Sequence, residues 1–123
     1  MRSPVFAAVN TRYNHTNLAV RSLASYIHAQ TGMQSIIIEK TTAEPFPVLL
    51  RSIIETLGPD NTDKSALVLF SIYIWNAPIM FDLAKEVKKV FSHSILGCGG
   101  PEVSYNAAEV FAREPSFDFI IRG

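Results

Sequence analysis

Ala66-Leu67-Val68-Leu69-Phe70-Ser71-Ile72-Tyr73 is the most hydrophobic stretch of the chain, and Asn76-Ala77-Pro78 follows closely behind it. A short, continuous apolar run of this kind reads as a strand buried on both faces. Asn76 can cap a helix whose first turn tolerates Pro78. Ile79, Met80, Leu83, Val87 and Val90 then recur at helical spacing and are expected to line the buried face of that helix. A strand buried on both faces and feeding a helix is the repeating unit of a parallel sheet.

The same unit recurs on both sides. Toward the amino terminus, residues 5–9 form a short apolar run that ends at polar Asn10. Residues 17–30 place Leu18, Leu23, Tyr26 and Ile27 on one helical face, and Gly32 suits a helix stop. Ile36-Ile37-Ile38 is a β-branched run of the kind found in central parallel strands. Pro45 and Pro47 open a second helix, where Leu49, Leu50, Ile53, Ile54 and Leu57 keep helical spacing until Gly58-Pro59. Residues 60–65 read as a polar loop. Toward the carboxyl terminus, residues 94–96 are a short strand running into Gly97-Cys98-Gly99-Gly100-Pro101. A helix over about 104–113 and a last strand over 117–121 complete the alternation.

The expected fold is therefore α/β: a three-layer, doubly wound, parallel five-stranded sheet. It is Rossmann-like and flavodoxin-like, with strand order 2-1-3-4-5 and right-handed crossovers that put helices on both faces. Asn10, Ser71 and Gly99 are then expected along one edge of the sheet. The whole chain, residues 1–123, reads as a single domain. A closing helix is expected after the last strand, so the chain is read as the N-terminal part of a longer protein.

Composition narrows the function classes. Lys plus Arg and Asp plus Glu are both 11, and the formal net charge is zero. That balance gives no footprint for a nucleic-acid partner and no reason to expect an anionic membrane surface. The single cysteine, Cys98, excludes an internal disulfide and a multi-cysteine metal site. A reducing, cytoplasmic compartment is expected. The apolar run behind Met1-Arg2-Ser3-Pro4 is too short for a signal peptide or a membrane span, and none elsewhere is long enough to span.

In open α/β sheets, ligands bind beyond the carboxyl ends of the strands where strand order reverses. Three loops reach that point. Gly97-Cys98-Gly99-Gly100-Pro101-Glu102 leaves little side chain above its strand, which suits either close ligand approach to the backbone or simply a tight turn. It lacks the G-x-G-x-x-G spacing of a dinucleotide site and the Gly-Lys-Ser/Thr of a P-loop. In Asn10-Thr11-Arg12-Tyr13-Asn14-His15-Thr16, Arg12, Tyr13 and His15 could meet a phosphate or an amide at the helix N-terminus. A solvated loop with Thr16 as the cap is the alternative. Ser71-Ile72-Tyr73-Ile74-Trp75-Asn76 sets a hydroxyl, two aromatics and an amide at the mouth of the sheet, which suits a flat organic ligand. Trp75 packing on a neighbouring domain is the alternative there. Cys98 reads as a small buried residue rather than a nucleophile, and His28 and His93 as surface positions. A receiver domain would need acidic residues after the first and third strands, and a flavodoxin a Ser/Thr/Gly-rich phosphate loop after the first. Neither pattern is present.

Together, Asn10-Thr11-Arg12-Tyr13-Asn14-His15-Thr16-Asn17-Leu18-Ala19, Ser71-Ile72-Tyr73-Ile74-Trp75-Asn76 and Gly97-Cys98-Gly99-Gly100-Pro101-Glu102-Val103-Ser104 resemble the N-terminal cobalamin-binding domain of many radical S-adenosylmethionine proteins. The resemblance spans essentially the whole chain. Its most specific parts are Gly-Gly-Pro-x-x-Ser and the closing Asp118-Phe119-Ile120-Ile121-Arg122-Gly123. It implies a Rossmann-like cobalamin-binding fold in which Ser71 with Tyr73, and Gly99-Gly100, lie close to the cofactor's nucleotide tail. The implied cofactor residues are Asn10, Thr11, Arg12, Tyr13, His15, Ser71, Tyr73, Trp75, Gly97, Gly99, Gly100, Pro101 and Glu102. No catalytic or metal-ligating residue is implied. The Asp-x-His-x-x-Gly motif of cobalamin mutases and methionine synthase is absent, since Asn10, Arg12 and His15 take its three places, so no histidine-ligated cobalt is implied there. The Cys-x-x-x-Cys-x-x-Cys motif of the radical cluster is also missing. The resemblance therefore implies a corrinoid held over a downstream radical domain, which would carry the [4Fe-4S] cluster and S-adenosylmethionine, with methyl transfer its commonest chemistry. A degenerate Rossmann-like module without cofactor, used for interaction or substrate positioning, is the alternative.

Overall fold

The structure is a computed structural model that describes residues 4–10, 18–58, 66–73, 76–100 and 107–121. Among the described residues five strands, β1 (Val5–Asn10), β2 (Ile36–Thr41), β3 (Leu67–Ser71), β4 (Ile95–Gly99) and β5 (Phe119–Ile121), alternate with four helices. The helices are α1 (Leu18–Thr31), α2 (Phe46–Leu57), α3 (Ala77–Val90) and α4 (Ala107–Arg113). The strands form one sheet in the order β2-β1-β3-β4-β5, and every neighbouring pair is parallel. This is the expected flavodoxin-like order.

Side-chain alternation along the strands divides the core in two. On one face Val5, Ala7, Val9, Val68, Phe70, Leu96 and Cys98 pack against α2 and α3, with Val110 of α4 and Phe117 at the far side. Each fully buried Leu, Val or Phe there contributes about 1.5–3 kcal/mol. On the other face Phe6, Ala8 and Leu69 pack against Val20 of α1. Local signals bound these elements. Pro45 takes the extended conformation at the α2 N-cap, and Pro47 sits in the first turn, where no intrahelical N–H is lost. Gly32 and Gly58 adopt positive φ at the ends of α1 and α2, where their N–H groups close the last turns onto His28 and Ile54.

Several element details differ from the sequence reading. Leu23 and Tyr26 are 38% and 64% exposed; the buried stripe of α1 is Val20, Ala24 and Ile27. Val90 of α3 is 55% exposed, and Ala77 and Ala84 take places in the buried face instead. The Ile36-Ile37-Ile38 run, of a kind common in central strands, lies on the edge strand that the expected order assigns to it. Strand β4 extends through Gly99, so Gly97 and Gly99 are strand residues rather than loop residues. As expected, Cys98 is buried, and His28 and His93 are exposed.

Candidate functional site at the switch point

Strand order reverses between β1 and β3: α1 leaves β1 toward one face, while α2 and α3 cover the other. Register then fixes which side chains meet at the carboxyl ends. Ala8 pairs with Ser71, and Ser71 with Gly99. These three small residues stand side by side on the α1 face, across three strands spaced roughly 4.8 Å apart. The row continues to Glu39 on β2 and Ile121 on β5. Asn10 lies two residues beyond Ala8 at the same end, paired with Thr41. Asn10, Ser71 and Gly99 thus share one edge of the sheet, as expected.

The polar groups at this edge are held by specific partners. Asn10 Nδ2 donates to Glu39 Oε2 at 3.2 Å, and Glu39 also forms an ion pair with Arg21 of α1. Thr41 is buried, and among the described residues its hydroxyl has no hydrogen-bond partner. Asn76 stands at the N-cap of α3 but makes no side-chain capping bond. Instead its Oδ1 accepts from Tyr73 N at 2.8 Å, and its Nδ2 donates to Val9 O at 3.0 Å and to Ser71 O at 3.2 Å.

Two of the three glycines of the β4 segment are required by their neighbours, and the third is not required by any described residue. A methyl group on Gly97 would collide with the ring of Phe119, its partner on β5. Gly100 has φ +122°, and a methyl group there would collide with the carbonyl oxygen of Ile72. Both positions are therefore glycine because the chain's own atoms fill the space, not because a ligand must. Gly99 is different. A methyl group there would lie 3.4 Å from the Ile121 carbonyl oxygen, an ordinary contact, and its φ is not positive. Among the described residues, its lack of a side chain is the one that packing does not require.

Of the residues implied for the cofactor, Asn10, Ser71, Tyr73, Gly97, Gly99 and Gly100 are described and lie along β1, β3 and β4 or just after them. Thr11, Arg12, Tyr13, His15, Trp75, Pro101 and Glu102 lie outside the described residues. Sequence reading passed over Ala8, Glu39, Thr41 and the true bonding of Asn76. Ala8 and Glu39 enter only through register, and Asn76 carried the same signal as any N-cap.

Among the described residues no group of three or more His, Cys, Asp or Glu is placed to hold a metal ion. No described helix is long and apolar enough to cross a membrane. The edge fits an extended organic group: among the described residues it offers a row of small residues, one glycine that their packing does not require, and a buried hydroxyl that none of them bonds. A comparison with protein families matches the chain over residues 4–123 to the model described as "B12 binding domain". A comparison with curated proteins gives no match.

Proposed function

The chain belongs to the B12-binding domain family, and on that premise we propose that it holds a corrinoid at the carboxyl ends of β1, β3 and β4. The observation that carries this reading is the Ala8–Ser71–Gly99 row at the switch point, where no described residue requires Gly99 to be glycine. Small residues let a bulky group approach the backbone closely. Ser71 supplies a hydroxyl within that row and Tyr73 follows it beyond β3, Asn10 and Thr41 supply an amide and a hydroxyl at its β1–β2 end, and Gly99 adds no side chain. Thr11, Arg12, Tyr13, His15, Trp75, Pro101 and Glu102 belong to the same three loops by sequence and complete the proposed set. When bound, a corrinoid supplies a cobalt-centred carrier for alkyl groups; the domain supplies binding and orientation.

The wider setting of this reading is a radical S-adenosylmethionine enzyme. There the corrinoid would stand over a downstream domain of the same polypeptide, carrying the [4Fe-4S] cluster and S-adenosylmethionine, with methyl transfer as the leading chemistry. A reducing, cytoplasmic location goes with that setting. Its support is the run of motifs from Asn10-Thr11-Arg12 to Asp118-Phe119-Ile120-Ile121. A cysteine triplet of the Cys-x-x-x-Cys-x-x-Cys type in the gene beyond Gly123 is the expected finding.

Titration of the protein with hydroxocobalamin, followed through the visible spectrum, tests the binding. Saturable spectral change at one equivalent is expected. No change at any accessible concentration would overturn the reading in favour of a cofactor-free interaction module.

A further inference from the structure

Asn76 is fully buried, and its amide is completely engaged. One acceptor and both donors are used: Oδ1 takes the Tyr73 N–H, and Nδ2 reaches the carbonyls of Val9 on β1 and Ser71 on β3. Just beside it, Ile72 N donates to Gly99 O at 2.8 Å, and Gly100 packs directly against the Ile72 carbonyl. A continuous set of contacts therefore runs from the end of β1 through Asn76 to the β3 segment, and from Ile72 to the end of β4. These are the three strand ends that carry Asn10, Ser71 with Tyr73, and Gly99.

We infer that Asn76 is the positioning residue of the corrinoid site: it touches no ligand and fixes the relative placement of the β1, β3 and β4 ends. This rests on the corrinoid reading given above. The side chain must offer one acceptor and two donors from one short planar group, which among natural side chains of this size only asparagine does. A carboxylate has the same shape but no proton to donate, so it would face the Val9 and Ser71 carbonyls with repulsion. Protonated, it regains one donor.

That difference gives a test with its own pH signature. In Asn76→Asp, burial and the two facing carbonyls favour the neutral acid, so its pKa is raised above the ordinary aspartate range. No other titratable side chain among the described residues makes a hydrogen bond or ion pair with this amide. A latch short of one donor is therefore expected at low pH, and it is lost as pH rises through that raised value. Hydroxocobalamin affinity of the variant, corrected for folded fraction by circular dichroism, is expected to fall roughly tenfold or more between mildly acidic and mildly alkaline pH. The wild-type protein should not show this profile. Asn76→Ala should be weakened at every pH. In the free wild-type protein, the Tyr73 amide should be among the protected amides in hydrogen exchange, a measurement that needs no variant. A folded Asn76→Ala or Asn76→Asp protein that binds as wild type does at every pH would overturn the inference while leaving the corrinoid reading intact. An unprotected Tyr73 amide would also overturn it. A wild-type protein that binds no hydroxocobalamin would overturn both.

Discussion

Gly99 and Gly100 are neighbours with opposite tolerances, and the difference separates fold from ligand. Gly100→Val places a β-branched side chain at φ +122° against the Ile72 carbonyl. It is expected to cost roughly 3 kcal/mol or more, read as a loss in urea midpoint. At Gly99 the first added carbon meets only an ordinary contact at Ile121 among the described residues, so Gly99→Val is expected to cost clearly less stability than Gly100→Val. The same variant should nonetheless lose hydroxocobalamin binding. A stable Gly99→Val protein with unchanged affinity would remove Gly99 from the site. Cys98 makes a second residue-scale case. Burial pushes its thiol from 9.0 up to about 12. The unfolded chain gives up this proton near 9.0 while the folded one keeps it. The thiol's contribution is thus complete below about pH 9 and is lost as pH rises toward 12. Native protein should resist iodoacetamide at pH 8 and react once unfolded in urea. Cys98→Ala should show a shallower fall in stability above pH 9. Equal alkylation rates with and without urea would contradict the burial.

At the scale of the elements, periodicity chose the buried face of α2 and most of that of α3, but not the face of α1. Leu23, Tyr26 and Ile27 share one apolar stripe of α1, and Val20, Ala24 and Ile27 share another. The sheet selects the second, because Phe6, Ala8 and Leu69 present a surface onto which the smaller side chains of Val20 and Ala24 can close. Val20→Ala is expected to cost about 1–2 kcal/mol in urea unfolding, whereas Tyr26→Ser should stay within about 0.5 kcal/mol. The reverse ranking would restore the first stripe. Strand β2 teaches a similar lesson. Three consecutive isoleucines suggest a central strand, yet β2 ends the sheet and leaves Ile36 exposed. Composition reports β-propensity, and the neighbours of a strand are set by crossovers elsewhere.

For the whole molecule, the reversal of strand order matters most. It brings the ends of β1, β3 and β4 together although they are far apart in the chain, and it sends α1 and α3 to opposite faces. On the α1 face, Ile95 and Ile121 remain 42% and 40% exposed beyond the cover of α1. The sequence by itself determined the alternation of strands and helices, the parallel sheet and its order, and which strand ends meet at the switch point. Those features follow from local apolar runs, proline and glycine punctuation, and the handedness of crossovers. Only the tertiary structure decided that Gly97 serves Phe119, that Gly100 serves Ile72 and that Asn76 binds three backbone groups instead of capping α3. Each of these depends on strand register and on contacts between segments distant in sequence, which one-dimensional spacing does not carry.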